Sequence, residues 1–176
     1  MTTSVRDPLD VHVARVLLLI RAFSGGDTNR LEGLTKLARL DFLLRYPVYL
    51  ERVLDSRGQP LSFELWPSSA ERRAVEATMI RHKFGPFDAR YYVIVGRLLG
   101  LGLAEQLRGR RYVSLRTTDC GRGAADALVG PQWRLVDGRA RALKRGLDLS
   151  ATTLGQLIGA ELPAAENRPW AVLSAP

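Results

Sequence analysis

Apolar residues dominate the first helical segment of the chain. The stretch from Leu9 to Phe23 has apolar side chains on almost every side, including the unbroken run Val16–Ile20. A surface helix would carry a polar face, so this pattern predicts a helix that is central and buried. The run is too short to cross a bilayer, and Arg15 and Arg21 bound it.

Leucines recur at intervals of three and four residues in the next segment. This spacing, which begins at Leu31, predicts a helix from Asn29 to Tyr46, because residues so spaced share one helix face. Asn29 and Glu32 have the spacing of a capping box, in which each side chain bonds the other residue's backbone N–H. A short further helix is predicted over Val48–Leu54.

Turn-forming residues interrupt the middle of the chain. The segment Phe63–Trp66 is predicted to be extended, since Trp66 precedes a proline and is disfavoured in the helical region. Ser68 and Glu71 form a second capping box, which predicts a helix from there to about Arg81.

The most specific local pattern follows a break at Gly85-Pro86. Asp88 is placed to cap a helix over Ala89–Leu101. Two short strands, Leu103–Leu107 and Arg111–Thr117, then flank a turn and predict a hairpin. Thr118 can cap the next helix, which is predicted to end near Val129. Helix, hairpin and capped helix in this order are typical of the second half of a winged helix-turn-helix.

The predicted fold class is therefore mainly α with a small β-hairpin wing, a winged helix-turn-helix core with extra N- and C-terminal helices. We assign residues 1–130 to the winged-helix domain and its N-terminal helical extension. Residues 131–176 form C-terminal helices, roughly Pro131–Arg145 and Ser150–Ala160, and a tail rich in Pro and Ala.

The net charge of +8 is concentrated in one part of the chain. Residues 81–122 hold nine Lys or Arg against three Asp or Glu, which gives +6. A localised positive field attracts polyanions such as DNA. Since 23 of the 26 basic residues are Arg, a GC-rich genome is an alternative explanation. Composition bias alone would not cluster the charge, however.

We expect the hairpin wing to contact DNA phosphates. Strand alternation predicts Val113 and Leu115 on the inner face and Ser114 on the outer face. Guanidinium groups crowd the tip, and these suit phosphate contacts across a groove. The alternative is a solvated hairpin that binds nothing. The predicted phosphate-contacting residues of the wing are Arg108, Arg110, Arg111, Tyr112 and Arg116.

The helix before the wing is poor in residues that read base edges. Arg90 and Arg97 are seven positions apart and share one face, with Tyr92, Val93 and Gly96 nearby. Base readout in the major groove requires several exposed polar side chains. A surface of tyrosine, valine and glycine favours packing on protein. Generic contact with double-stranded DNA, together with protein docking, is therefore predicted over recognition of a specific operator.

The sequence offers no catalytic or metal-binding constellation. Cys120 is the only cysteine, so a disulfide framework is excluded, and His12 and His82 are too few to complete a Cys/His metal cluster. We find no partner for either histidine in the sequence. No phosphate-binding glycine loop, His-Glu-x-x-His motif or nucleophile elbow is present. We therefore expect a protein that is not an enzyme and holds no cofactor. Because the first residues do not resemble a signal peptide, we also expect it to be soluble and cytoplasmic.

Two segments resemble the middle components of ABC-three-component systems. The segment Leu31-Glu-Gly-Leu-Thr-Lys-Leu-Ala-Arg-Leu-Asp-Phe-Leu-Leu-Arg-Tyr-Pro47 is similar to that family's leucine-rich L-x-x-L-D-[FY]-L-x-[RK]-[FY]-P helix. Arg81-His-Lys-Phe-Gly-Pro-Phe-Asp88 is similar to the [KR]-[YF]-G-P-[WF]-D stretch before the wing. The resemblance covers roughly residues 10–130. The matching residues are Leu40, Asp41, Phe42, Leu44, Arg45, Gly85, Pro86 and Asp88.

The resemblance implies a non-catalytic adaptor of a bacterial anti-phage defence complex of the Lamassu type. Such a subunit would dock on an SMC-like ATPase and on an effector, and would hold no ATP itself. The alternative function is a homodimeric winged-helix transcriptional regulator that uses the wing with Arg90 and Arg97. For Asp41, an ion pair with Arg45 is the alternative to a docking role. The predicted partner-binding residues are Leu40, Asp41, Phe42, Leu44, Arg45 and Tyr92.

Overall fold

The structure is a computed structural model that describes residues 8–25, 30–73, 79–82, 85–87, 90–109, 113–162 and 172–173. Within these ranges the chain is mostly helical, with two small antiparallel sheets. Its elements in chain order are α1 (Pro8–Phe23), β1 (Leu31–Glu32), α2 (Leu34–Arg45), α3 (Pro47–Ser56), a 3-10 turn (Phe63–Leu65), α4 (Ser69–Arg73), β2 (Met79–His82), β3 (Gly85–Phe87), α5 (Arg90–Gly100), β4 (Ala104–Arg108), β5 (Val113–Thr117), α6 (Asp119–Asp126), α7 (Pro131–Leu147), α8 (Ala151–Glu161) and β6 (Val172–Leu173).

Helix α1 lies at the centre of the molecule, as its apolar pattern predicts. It packs against α2, α5, α6, α7 and strand β5. Its residues Val16–Ile20 and Phe23 are buried in the hydrophobic core. In the part of the chain that is described, none of the helices has the length and apolar character needed to span a membrane.

The first sheet corrects the prediction for the start of the second helix. Leu31 and Glu32 form strand β1, which pairs with Leu115 and Ser114 of β5. The sheet has the order β1-β5-β4, so β5 is its central strand. Helix α2 begins only at Leu34, after Gly33 with a φ of 80°. The helix start predicted at Asn29, with Glu32 in its first turn, is wrong, because Glu32 belongs to a strand whose backbone pairs with β5. Asn29 itself lies outside the described residues.

The middle of the chain contains two further departures from the prediction. Residues Phe63–Leu65 form a 3-10 turn, and only Trp66, with ψ of 148°, is extended ahead of its proline. The helix predicted to reach Arg81 is observed as α4, whereas Met79–His82 is strand β2 in a sheet of order β3-β2-β6. The backbone bonds to β3 and β6 account for this strand.

The segment from α5 to α6 agrees closely with its predicted pattern. Helix α5 ends as expected before Gly102, whose φ of 66° suits glycine. Strands β4 and β5 form an antiparallel hairpin in which Ala104 pairs with Thr117 and Arg108 with Val113. Thr118 Oγ1 accepts a hydrogen bond from the backbone N–H of Gly121 at 3.0 Å and caps α6. Asp88 lies outside the described residues.

The two C-terminal helices share the hydrophobic core of the preceding residues. Helix α7 packs on α1 and α2, and α8 packs on α2 and α3. Trp133, Leu143 and Ile158 are buried in the same cluster as the residues of α1. Arg21 of α1 also donates to Asp126 of α6 and Asp137 of α7. The boundary drawn at residue 130 therefore does not separate two cores.

Candidate functional site

The β4–β5 hairpin displays part of the basic cluster predicted to contact DNA. Arg108 ends β4 and is exposed. Arg116 is half-buried and forms an ion pair with Glu105 across the hairpin, at 2.7 Å between Nη2 and Oε1. Its charge is therefore partly balanced within the sheet. The remaining predicted members, Arg110, Arg111 and Tyr112, lie outside the described residues.

The alternation predicted for β5 is wrong at two positions. Leu115 is buried as expected, but Val113 is 42% exposed and Ser114 is buried. Ser114 sits in the central strand between Glu32 of β1 and Leu107 of β4, so longer neighbours on both sides cover its small side chain. Val113 pairs with Arg108 at the end of the hairpin, away from the core.

Helix α5 divides into a buried stripe and an exposed apolar face. Its buried residues are Tyr91, Ile94, Val95 and Leu98. On the opposite face Tyr92 is 64% exposed and Val93 is 57% exposed. Arg97 Nη2 lies 2.7 Å from Asp10 Oδ1 of α1. Arg90 is exposed at the start of the helix. The outer face of α5 thus presents Tyr92 and Val93, and Arg97 on this helix is held by Asp10 of α1.

Most of the residues predicted to bind a partner are core residues. Leu40, Asp41 and Phe42 are fully buried, and Leu44 and Arg45 are nearly so. Helix α2 is enclosed by α1, α3, α7 and α8, which leave these side chains no outer face. The prediction that they form a docking surface is therefore wrong, and among the predicted partner-binding residues only Tyr92 is exposed.

Asp41 is the centre of a buried polar cluster that joins three helices. Arg15 of α1 donates through Nε to Oδ1 at 2.6 Å and through Nη2 to Oδ2 at 3.0 Å. The Tyr91 hydroxyl of α5 donates to Oδ2 at 2.5 Å. A carboxylate with several charge-assisted bonds can be buried at acceptable cost. Asp41 thereby links α2 to α1 and α5.

The cluster controls the protonation of its members. Burial would raise the pKa of Asp41, but the charge and hydrogen bonds of Arg15, the hydroxyl of Tyr91 and the charge of Arg45 outweigh it and hold this pKa below its ordinary value. Burial and the adjacent carboxylate raise the pKa of Tyr91 well above its ordinary value. At neutral pH Asp41 is thus ionised and Tyr91 is a hydrogen-bond donor.

His12 has a partner that the sequence did not suggest. Its Nδ1 lies 2.9 Å from Nη2 of Arg15, one turn further along α1. Because the guanidinium can only donate, His12 Nδ1 must accept and carry no proton. Burial and the nearby charges of Arg15, Arg45 and Arg90 lower the pKa of His12 to about 4. His12 is therefore neutral at physiological pH.

Arg139 of α7 anchors a second polar cluster. It donates to Oε1 and Oε2 of Glu71 at 2.6 and 2.9 Å, and to the backbone carbonyls of Leu65 and Trp66 at 3.0 and 3.1 Å. Glu71 is fixed from the other side by Ser68, in the reciprocal bonds of the predicted capping box. The capping box is confirmed, and hydrogen bonding to Arg139 keeps the pKa of Glu71 below its ordinary value.

A cavity of about 310 Å³ lies between the two clusters. Its polar lining comes from Arg15, Arg45, Arg139, Glu71 and Gln132. The rest of the wall is mainly apolar and comes from α1, α7 and the junction of α2 with α3. These lining residues are Val11, Leu44, Tyr46, Pro47, Val48, Trp133, Leu135 and Val136.

Cys120 is an exposed free thiol in the first turn of α6. Over the described ranges, no three His, Cys, Asp or Glu side chains come together in a way that could hold a metal ion. Comparison of the chain with protein-family models, with curated proteins and with solved structures found no significant match.

Proposed function

We propose that this chain is a non-catalytic winged-helix adaptor that docks on an SMC-like ATPase and its effector and contacts DNA without sequence preference. The residues that resemble the ABC-three-component family suggest this class of partner. The exposed side chains of Tyr92 and Val93 on α5 are the observation on which the docking proposal rests, because aromatic side chains are enriched in the cores of protein interfaces.

The order of the elements supports the winged-helix part of the proposal. A helix, a short strand and a second helix (α1, β1, α2) are followed by a helix and a hairpin (α5, β4, β5). The first strand joins the hairpin through its second strand, in the order β1-β5-β4. Residues 46–89 stand between α2 and α5 as an insertion. On this proposal α5 would be the recognition helix and β4–β5 the wing.

The surface of α5 favours a protein partner over a DNA base. Tyr92 and Val93 offer an aromatic ring and a branched apolar side chain, which are suited to an interface core. Arg97 would have to leave Asp10 before it could contact a base. These features argue against the alternative of a regulator that reads an operator. Enrichment of a palindromic site from random DNA would favour that alternative.

Contact with DNA would then come through the wing. Arg108 is exposed at the end of β4, next to the tip that contains Arg110 and Arg111 in the sequence. Phosphate contacts position a protein on DNA without reading its sequence, and they require charge rather than a particular base-reading side chain. The wing suits this role better than α5 does.

Co-expression with an SMC-like ATPase, which the proposal expects among the neighbouring genes, tests the proposal. We expect the two proteins to co-purify, and Val93→Asp to abolish co-purification because it places a charge in the apolar face of α5. Val129→Asp is the matched control, since Val129 is a similarly exposed valine outside α5. Failure of the unaltered chain to co-purify with the ATPase, or equal co-purification of the two variants, would contradict the proposal.

A further inference from the structure

Two aromatic side chains that touch each other are exposed on the 3-10 turn before α4. Phe63 is 79% exposed and Trp66 is 49% exposed, and their ring centroids lie 5.2 Å apart in an edge-to-face arrangement. A single apolar side chain on a protein surface needs no explanation. Two large rings in contact form a patch, and aromatic residues, tryptophan above all, carry much of the binding energy of protein interfaces.

The backbone beneath the two rings is held from several sides. Trp66 Nε1 donates to the backbone carbonyl of Leu61 at 3.0 Å. Arg139 of α7 donates to the carbonyls of Leu65 and Trp66. The side chain of Leu65 packs so closely on α7 that a Cβ added at Gly138 would lie 2.6 Å from it. A partner would therefore meet rings that are already in place, and less conformational entropy would be lost on binding.

An arginine without a counter-charge borders the turn. Arg145 of α7 is exposed and, together with Ser62, lines a small cavity of about 170 Å³. Over the described ranges Arg145 has no ion pair or hydrogen bond, so it can pair with a negative group on a partner. The other charged side chains nearby on α4 and α7 are mostly paired: Glu71 with Arg139, Arg72 with Glu51, Arg141 with Asp137 and Lys144 with Asp148.

Positive charge exceeds negative charge on the elements that carry the patch. Glu64, the acidic residue of the turn, accepts hydrogen bonds from its own backbone and from Ser62, which hold its pKa below the ordinary value. It is therefore ionised at neutral pH. Arg73, at the end of α4, has no ion pair in the part of the chain that the structure describes. Two uncompensated guanidinium groups, Arg73 and Arg145, thus stand against one carboxylate.

We propose that the patch of Phe63 and Trp66 binds a peptide segment of a partner protein in which acidic residues flank an apolar or aromatic side chain. The apolar side chain would pack on the two rings, and a carboxylate would pair with Arg145. A basic segment would be repelled. The turn packs on α7, whereas α5 packs on α1 and β4, so this is a second surface. It can hold or fail independently of the adaptor function.

Selection from a random peptide library displayed on phage tests the proposal, with the Phe63→Ser chain used for counter-selection. Phe63 is largely exposed, so this variant should remain folded, as checked by circular dichroism. We expect the enriched peptides to share an apolar or aromatic residue flanked by Asp or Glu. The proposal is overturned if no peptide prefers the unaltered chain to the variant, or if the enriched peptides lack acidic residues.

Fluorescence anisotropy with the most enriched peptide separates the apolar contribution from that of charge. We expect Phe63→Ser to weaken binding at least about tenfold, and Tyr92→Ser, which removes an exposed ring on α5, to leave binding unchanged. Arg145→Gln should weaken binding about threefold and Glu64→Gln should strengthen it by a similar factor, as is usual for exposed charges. Arg134→Gln on the same helix is the control for Arg145. Unchanged affinity in both charge variants would overturn the proposal of an acidic partner.

Sedimentation velocity tests whether a second copy of this chain occupies the patch instead. We expect the unaltered chain and the Phe63→Ser variant to have the same state of association at micromolar concentration. A dimer that Phe63→Ser dissociates would assign the patch to self-association and would overturn the proposal.

Discussion

Arg15 and Asp41 join α1 to α2 through two parallel hydrogen bonds, 2.6 Å from Nε to Oδ1 and 3.0 Å from Nη2 to Oδ2. The side chains are only 7% and 1% exposed. The attraction between such buried charges is largely offset by the cost of removing them from water. Loss of one partner is far more damaging, because the other charge then stays buried without compensation.

We therefore expect Asp41→Asn to lower the free energy of unfolding by about 3–5 kcal/mol, as measured by urea denaturation. Asp119→Asn is the control, because Asp119 is 96% exposed and pairs with Arg122 only at the surface. That change should cost no more than about 1 kcal/mol. Equal losses in the two variants would show that Asp41 is not the centre of the cluster.

Substitutions of Tyr91 and Tyr92 by phenylalanine measure how much the Tyr91 hydroxyl contributes to the free energy of unfolding. Tyr91→Phe removes the donor to Asp41 and should lower the free energy of unfolding by about 1.5–3 kcal/mol, the usual range for a hydrogen bond to a charged group. Tyr92→Phe alters an exposed side chain and should stay within about 0.5 kcal/mol. A Tyr91→Phe protein as stable as the unaltered chain would contradict this account.

His12 should make the protein less stable as the pH falls from 7 to 5. Its pKa is about 4 in the folded chain and 6.5 in the unfolded chain. Above pH 6.5 it is neutral in both states and has no effect. Between 6.5 and 4 the unfolded chain binds a proton that the folded chain does not, so unfolding is favoured. Allowing for partial solvent access, we expect a loss of about 1 kcal/mol by pH 5.

Denaturation of His12→Gln at the same pH values isolates this contribution. Glutamine can still accept from Arg15 but does not titrate, so the variant should lose about 1 kcal/mol less between pH 7 and 5. Asp41, Glu71 and Asp148 have pKa values below the ordinary range, so their stabilisation is lost only at more acidic pH. Parallel pH profiles for the variant and the unaltered chain would rule out a role for His12.

Two glycines in α6 should respond to alanine in opposite directions. A Cβ at Gly121 would collide with the backbone carbonyl of Leu103, so Gly121→Ala should cost about 3 kcal/mol. A Cβ at Gly123 meets nothing within 4 Å, and alanine there should add about 0.5–1 kcal/mol through helix propensity. Thermal denaturation of both variants measures the contrast. The close approach of α6 to Leu103 would be refuted if both raised the melting temperature.

If the β4–β5 hairpin contacts DNA as proposed, its arginines should determine the salt dependence of that binding. Replacing Arg108, Arg110 and Arg111 with glutamine should weaken binding to random duplexes and flatten the plot of log affinity against log salt by roughly one unit per lost phosphate contact. The exposed Arg134 on α7 serves as the control. An unchanged slope in the triple variant would show that these side chains do not touch phosphates.

Local patterns predicted the elements whose form depends on neighbours in the sequence. The apolar run of α1 predicted a buried helix, and α1 begins within one residue of its predicted start. The cap at Thr118 was also predictable, because it depends only on Gly121, three residues away. Strand β1 could not be predicted this way. Its residues continue the leucine spacing of α2, and only pairing with Leu115, far along the chain, makes them a strand.

The same limit applies to the polar clusters. A charged residue within an apolar helix indicates a special role for Asp41, but its nearest candidate partner along the helix is Arg45 rather than Arg15 on another helix. Arg15 carried a comparable signal, since it too interrupts an apolar run. Opposite charges in two buried apolar helices are expected to pair, because burying either charge without a partner is energetically costly. Arg139 gave no such signal, as its helix is rich in arginine.

The packing of α7 and α8 on α1 and α2 decides how the chain can be shortened. Removal of all residues after 130 would remove Trp133, Leu143, Leu147 and Ile158 from the hydrophobic core. It would also expose apolar side chains of α1 and α2 to solvent. Arg21 would also lose Asp137. Helices α7 and α8 cover the hydrophobic core, so we expect a minimal folding unit to extend at least to the end of α8.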